Sequence, residues 1–431
     1  MRKDSFLLPF VLLCLTRVQA PSAEAEKLTA ELLLTEAQRR AFRYFYDYGF
    51  PGSGLARERL GSRRCAIGGT GFGLLTLIVG CERGFASREA VSKRVLRIVR
   101  FLEDKAERFH GAFSHHLNGK TGKAIPFAGY KDDGGDLVET SYLVAALLTL
   151  RKYFNREDPT EQEIKERATR IWHEVQWDWY LRKKSSYKLY WHWSPRYDWA
   201  MNLPVTGFNE CMITYLLAIA SPTHPIPPEC YYKGWASSPN YVNGKIYYGY
   251  RLKVGPPYGG PLFFTQFSFV AFDPRGKRDR YCNYFENNRI ITLINRAHCI
   301  KNPHGYPGYG PKCWGLSASD DPRGYKVHDP LHDNGTITPS VVLSALPYLP
   351  KAVKETALHF YNKWGDRLWG PYGFYDAFNL RRNWFARSYI AIDVGTVAPM
   401  IENYRTGLCW NLFMQNEEIG KALEKIGWKK E

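Results

Sequence analysis

The chain has 431 residues, 45% of them hydrophobic and 15% aromatic, and a formal net charge of +17. Lys and Arg are spread along the whole length rather than gathered into a stripe or tail, which argues against nucleic-acid binding and for a solvated basic surface, one that suits an anionic envelope. Beyond the first twenty residues no segment reaches the roughly 20 apolar residues of a membrane span, and the scattered cysteines exclude a dense disulfide framework, leaving free thiols as the default and one or two bridges open.

Residues 1–20 read as a secretory signal. Arg2 and Lys3 supply the charged region, 6–15 the apolar core, and Val18-Gln19-Ala20 a small-residue cleavage site. Cys14 lies inside the apolar core and lacks the small residues that precede a lipoprotein cysteine, so a periplasmic or secreted protein is expected over a lipid-anchored one. Residues 21–431 carry helical periodicity from end to end. Helices are predicted near 35–47, 69–80, 88–108, 136–154, 160–178, 209–220, 283–300, 336–348, 351–364, 393–403 and 416–426. No linker-like stretch divides them, so one continuous domain is expected.

The segment 136–154 is apolar on nearly every face and 160–178 is amphipathic. A buried helix followed by an outer one is the pattern of an inner ring of helices wrapped by a second ring, an all-α closed α/α barrel. Two stretches break the helical pattern. Residues 180–193 alternate basic and aromatic side chains and predict a β-hairpin over the barrel mouth; 241–262, rich in Tyr, Gly and Pro, predicts a long loop.

Three segments place acids at the mouths of apolar helices. Glu210 follows Gly207-Phe208-Asn209, between a Trp- and Tyr-rich stretch and an apolar run. Asn209 can cap that helix, which frees Glu210 for another role, and burial beside apolar residues predicts a raised pKa suited to a general acid. Asp136 and Glu139 have the i, i+3 spacing of a capping box, yet a second carboxylate facing a core is costly unless something uses it. Asp393 is either an N-cap or a site acid beneath a cavity left by Gly395, Thr396 and Ala398. Glu402 reads as structural, paired with Arg405 or a neighbouring helix.

Trp191, Trp193, Tyr197, Trp199, Trp314, Tyr325, Tyr372, Phe374 and Tyr375 sit in Gly- and Pro-containing stretches. Aromatics on loops predict stacking platforms for sugar rings, with Arg63, Arg196 and Arg387 contacting hydroxyls. The histidines form no metal-ligating or Ser/His/Asp motif, and the glycines of Ile67-Gly68-Gly69-Thr70-Gly71-Phe72-Gly73 predict close helix packing rather than a phosphate loop. No metal or cofactor is expected.

The chain resembles the bacterial glucoamylase-like proteins, in particular glycoside hydrolase family 144, the endo-β-1,2-glucanases. The resemblance is carried in order by Gly135-Asp136-Leu137-Val138-Glu139-Thr140, Thr206-Gly207-Phe208-Asn209-Glu210, Trp314-Gly315-Leu316-Ser317-Ala318-Ser319-Asp320 with Gly324-Tyr325, Tyr372-Gly373-Phe374-Tyr375-Asp376-Ala377-Phe378-Asn379, and Ile392-Asp393 with the segment 402–408. It implies a single (α/α)6 barrel and hydrolysis of β-1,2-glucan, internally to sophoro-oligosaccharides or from an end to sophorose, by inversion. The family's acids fall on Asp136, Glu139, Glu210 and Asp393, and Asp320 joins the substrate contacts. The 180–193 and 241–262 stretches are where endo and exo members differ.

The expected enzyme is a monomer on a glycan substrate. Glu210 protonates the glycosidic oxygen, Asp393 assists the attacking water, and Asp136 and Glu139 hold hydroxyls or tune pKa; the acid and base labels are exchangeable. Inversion places the working carboxyls roughly 6.5–9.5 Å apart, or further if a sugar hydroxyl relays the proton. The rival readings are the same barrel on another linkage, a non-catalytic glycan-binding protein, and a binder of nucleic acid or envelope anions.

Overall fold

The computed structural model describes residues 29–431 apart from 128, 184, 238 and 240; the signal reading of 1–20 lies outside the described residues. The helices follow the predicted periodicity: α1 (Ala30–Tyr46), α2 (Ile67–Glu82), α3 (Arg88–Asp104), α4 (Leu137–Tyr153), α5 (Pro159–His173), α6 (Met212–Ala220), α7 (Cys230–Lys233), α8 (Tyr284–Lys301), α9 (Pro339–Ser344), α10 (Pro350–Leu368), α11 (Ala391–Arg405), α12 (Leu408–Met414) and α13 (Glu417–Ile426). The short α7 and α12 were not expected. Ends are set locally. Ser87 accepts from the Ala90 amide at the start of α3, and Asp158 caps α5 with Pro159 in its first turn.

Burial separates two kinds of helix. Residues 67–80 of α2 and 137–151 of α4 are buried without a break, and α11 is buried along most of its length. By contrast, α3 and α5 bury one stripe each: Val91, Val95, Ile98, Val99 and Leu102 on one, Ile164, Ala168, Ile171 and Trp172 on the other. The apolar helices pack on one another, α2 against α4 and α11, α4 against α6, and α9 against α11. The amphipathic ones lie outside them, α1 on α2 and α11, α5 on α4, and α3 on α5.

The glycines of α2 make this contact close, as the sequence predicted. A Cβ at Gly71 would stand 2.7 Å from Leu143 Cα in α4, and one at Gly69 would stand 2.7 Å from Ala391 Cβ in α11. Without side chains there, α2 seats directly between the two helices that carry Glu139 and Asp393. Glu402 is held by a neighbouring helix rather than by Arg405: Arg83 at the end of α2 grips it with two hydrogen bonds of 2.7 and 2.8 Å, and Gln38 of α1 adds one of 3.0 Å.

Strands are short, two to four residues each, and pair in small two- and three-stranded ladders. The predicted hairpin at 180–193 is not formed. A 3-10 turn at Trp179–Leu181 is followed at 185–189 by turn and irregular chain, and only His192–Trp193 is extended, pairing antiparallel with Gly135–Asp136. The polar stretch around Lys183, Ser185, Ser186 and Lys188 has no alternating apolar face to bury, so nothing holds it in a ladder. A hairpin does form elsewhere, between Ala318–Asp321 and Gly324–Val327. The 241–262 loop contains one small ladder, Ile246–Tyr247 with Tyr250–Arg251. All eight cysteines among the described residues are free thiols, and no helix there is long and apolar enough to cross a membrane.

Candidate active site

At the start of α4, the Asp136 carboxylate accepts the Glu139 amide at 2.9 Å, so Asp136 is the N-cap, while the Glu139 carboxylate turns to α2 rather than completing a capping box. Glu139 is placed by α2. Its Oε2 accepts the Gly68 amide at 2.8 Å, and a Cβ at Gly68 would stand 2.5 Å from that oxygen. Before α6 the work is divided differently. Asn209 Oδ1 accepts the Cys211 amide at 3.0 Å and the Trp235 indole N–H at 3.1 Å, while the Ser268 hydroxyl donates to the Glu210 carbonyl. The α6 helix begins only at Met212, so the Glu210 side chain leaves the chain from the turn ahead of it.

Glu139 and Glu210 line one cavity of about 250 Å³. Glu58, Arg59, His115 and Trp191 form part of its wall, and Tyr142, Phe263 and Phe267 supply apolar surface. Phe127 lies flat on His115 with ring centroids 3.9 Å apart. Tyr325, from the 318–327 hairpin, also lines the cavity; the residue is 49% exposed, yet its hydroxyl end feels the charges of Asp393, Asp376, Glu139 and Glu210.

The acids differ in their surroundings. Burial pushes Glu210 up to about 7, with the charges of Glu139 and Asp136 adding to the rise against a hydrogen bond from its own amide. Burial likewise raises Glu139, against the pull of His115. At Asp136 burial also opposes ionisation, but His192 Nε2 at 3.1 Å and His115 Nδ1 at 3.0 Å outweigh it and hold the carboxyl well below its ordinary value. The same contacts act on His115: burial disfavours its charge, but Glu139 and Asp136 push it up to about 9. Asp136 is fully buried and Asp393 is 2% exposed, and neither is a lining residue of the cavity.

A second group of acids surrounds Asp393. Arg59 Nη1 reaches Asp320 Oδ1 at 2.8 Å, the Ser388 hydroxyl donates to Asp320, and the Asp320 amide donates to Asp376 Oδ2 at 2.7 Å. Burial, then the charge of Asp320, pushes Asp376 up to about 7; burial, then Asp376, pushes Asp393 well above the usual carboxylate range. Among the described residues no group of His, Cys, Asp and Glu stands together at metal-ligating distance.

Of the predicted sugar contacts, Trp191 and Tyr325 line the cavity and Asp320 meets it through Arg59. Trp193 packs edge-on to His110 at 4.7 Å, Tyr197 leans on Tyr130 at 5.2 Å, and Arg387 lies over Tyr375 at 5.3 Å. Arg196 is already paired with Asp133. Tyr372 sits in a tyrosine cluster, 5.4 Å from Tyr44 and 5.4 Å from Tyr389.

Two predicted platforms are core residues instead. Trp314 is 0% exposed and donates its indole N–H to Thr356 of α10 at 2.9 Å. Its segment runs between helices, with Asn295 of α8 bonded to both backbone groups of Leu316 and Gly315 pressed on Val342 of α9. Phe374 is buried against Trp369 at 4.6 Å and Phe360 at 6.2 Å. Both lie in glycine-containing connectors that pass beneath the surface, so loop context did not mean exposure. Conversely, Glu58, Arg59, His115, Phe127 and Asp376 were given no role from the sequence, where none belongs to a spacing motif.

The Glycoamylase family model, described as "Putative glucoamylase", matches residues 202–417. The chain belongs to the glucoamylase-like family. It is similar to an exo β-1,2-glucooligosaccharide sophorohydrolase (non-reducing end) of Parabacteroides distasonis, 46% identical over an alignment of 429 positions that covers 95% of this chain. The chain spans 59% of the length of that relative. A solved endo-β-1,2-glucanase of Chitinophaga pinensis, in complex with sophorotriose and glucose, is 45% identical with a TM-score of 0.90, covering 94% of this chain and 99% of its own. A solved "putative glucoamylase" of Bacteroides uniformis is 49% identical with a TM-score of 0.92, covering 94% of this chain and 99% of its own. The glucoamylase-like assignment agrees with the motif resemblance.

Proposed function

We propose that this chain is an exported glycoside hydrolase that cleaves β-1,2-glucan to sophorose or short sophoro-oligosaccharides with inversion, in a single (α/α)6 barrel. The glucoamylase-like relatives named for β-1,2-glucan support the substrate class. The alternation of buried and one-sided helices supports the barrel, and the leader-like composition of residues 1–20 supports export.

The observation that carries the chemistry is the Glu210 carboxyl, raised to about 7 in a cavity walled by Trp191 and Tyr325. At neutral pH a large share of it holds a proton to give, as a general acid requires. Glu210 protonates the glycosidic oxygen as the C1–O bond breaks. The water oxygen bonds to C1 from the opposite face, and its proton passes, by way of a sugar hydroxyl where needed, to Asp393. Glu139, pinned by the Gly68 amide, faces the sugar as a fixed hydrogen-bond acceptor. Asp136, capping α4 behind the wall, keeps His115 charged.

Incubation with linear β-1,2-glucan, followed by product size and by NMR of the first anomer released, tests the reading. Sophorose-type products appearing first as the α-anomer are expected, with turnover lost in Glu210→Gln and in Asp393→Asn. A first-formed β-anomer, or cleavage confined to another linkage, would sink it.

A further inference from the structure

We propose that Asp376 is a positioning residue of this site, sharing one proton with Asp393 so that the two carboxyls work as a single acid–base unit. The inference rests on the role given to Asp393 above. Asp393 stands in the first turn of α11, and Asp376 lies just before the strand Phe378–Asn379; each is 2% exposed. Asp376 Oδ2 accepts the Asp320 amide at 2.7 Å. The remaining oxygens, Asp376 Oδ1 and Asp393 Oδ2, are buried and receive no hydrogen bond from any described donor, although the two carboxyls are within hydrogen-bonding reach of each other.

Two ionised carboxylates in that position repel, and among the described residues neither has a cation paired to it. The nearby guanidinium, Arg59, is committed to Glu58 at 2.9 Å and Asp320 at 2.8 Å. The other charged groups facing the pair are Asp320 itself and, across the Tyr325 hydroxyl, Glu139 and Glu210. All are acids, so the surroundings favour proton retention. One proton makes one carboxyl a donor and the other its acceptor, satisfies both orphaned oxygens and halves the charge. Burial and mutual repulsion push both groups upward, in keeping with that sharing.

The unit carries one negative charge and takes up the proton lost by the attacking water while Glu210 gives its own to the leaving oxygen. Solvent then removes the first and restores the second. Asp376→Asn tests this directly, because the amide oxygen still accepts from Asp320 and the amide N–H still donates to Asp393, but no proton is shared. Asp393 then ionises. A shared proton is retained in the folded state and released in the unfolded one, so wild-type stability falls as pH rises, and Asp376→Asn removes that slope.

The stability of Asp376→Asn relative to wild type should therefore climb steadily between about pH 5 and about pH 9. Over the same range kcat on β-1,2-glucan should fall about 10²-fold with KM nearly unchanged. A relative stability flat across that range overturns the sharing and leaves Asp376 a structural acceptor. The wild-type protein gives a second measurement that needs no folded Asp376 variant: a protonated-carboxyl infrared band persisting at about pH 9, where lone acids are ionised, and vanishing in Asp393→Asn. Its absence from the wild type overturns the pair. Full turnover by Asp393→Asn would instead remove the functional reading itself.

Discussion

At the mouth of α4, Asp136 accepts an amide from its own first turn and stands between His115 and His192. At the mouth of α6, Asn209 takes the amide of the turn and the Glu210 carboxyl takes a hydrogen bond from its own N–H. Burial disfavours the charged form at both places, and the outcomes are opposite. The histidines outweigh burial at Asp136 and keep it ionised; at Glu210 the nearest charges are acids and reinforce it. Buried acids at helix mouths thus favour either the charged or the protonated form according to what faces them.

The largest effect is expected from Asp136→Ala, which removes the cap of α4 and leaves His115 without its counter-ion. Breaking a buried pair in this way costs about 3–5 kcal/mol, measured by urea unfolding near neutral pH. The sign follows from the shifts. Asp136 lies below its unfolded value, so its contribution is present above the ordinary carboxylate range and lost as pH falls through the folded value. His115 lies above its unfolded 6.5, so its contribution is complete below 6.5 and lost as pH rises to about 9. A penalty under about 1 kcal/mol would mean that the histidines do not hold Asp136.

Glu210→Gln should behave in the reverse sense. With a folded pKa of about 7 against an unfolded 4.5, Glu210 contributes stability below 4.5 that is lost as pH climbs through 7. The variant, inactive, should be more stable than wild type by roughly 3 kcal/mol at alkaline pH and no more stable at about pH 4. An equal effect at both pH values would erase the contrast between the two mouths.

The smallest effect sharpens the comparison from the packing side. Gly68→Ala forces a methyl against Glu139 Oε2 and should cost about 1–2 kcal/mol, with loss of turnover as Glu139 moves from the cavity wall. Unchanged melting and unchanged kcat/KM would show that the α2–α4 contact gives way freely.

Much of the helical frame was legible. The segment 136–154 was apolar on nearly every face and is buried through 151; 160–178 was amphipathic and buries one stripe, though it ends at His173. The glycines of 67–73 were readable as close packing because they lie on an apolar helix without a phosphate-binding lysine. The freedom of Glu210 was readable because Asn209 precedes it. Trp314 and Phe374 were misjudged because glycine-containing context predicts a connector and does not tell whether that connector runs over the core or through it. The 180–193 stretch alternated in composition, but the polar run around Lys183, Ser185 and Ser186 had no apolar face to hold a hairpin, and its aromatic end pairs with Gly135–Asp136 instead. His115 and His192 carried no signal, since their partners lie in other elements; Asp376 lay within a segment of the resemblance but was given no role for the same reason.

What the chain determined by itself is therefore what depends on neighbours along it: helix periodicity, caps, and which acids stand next to apolar runs. Only the tertiary structure decided which of those acids keeps its proton. Asp136 meets His192 through a two-residue ladder with His192–Trp193 and His115 from the connector ahead of the strand His116–Asn118, and Asp393 meets Asp376 from the segment ahead of Phe378–Asn379. A carboxyl's charge state is set by the groups within a few ångströms and by the exclusion of water, and the folded chain brings those groups together from distant positions.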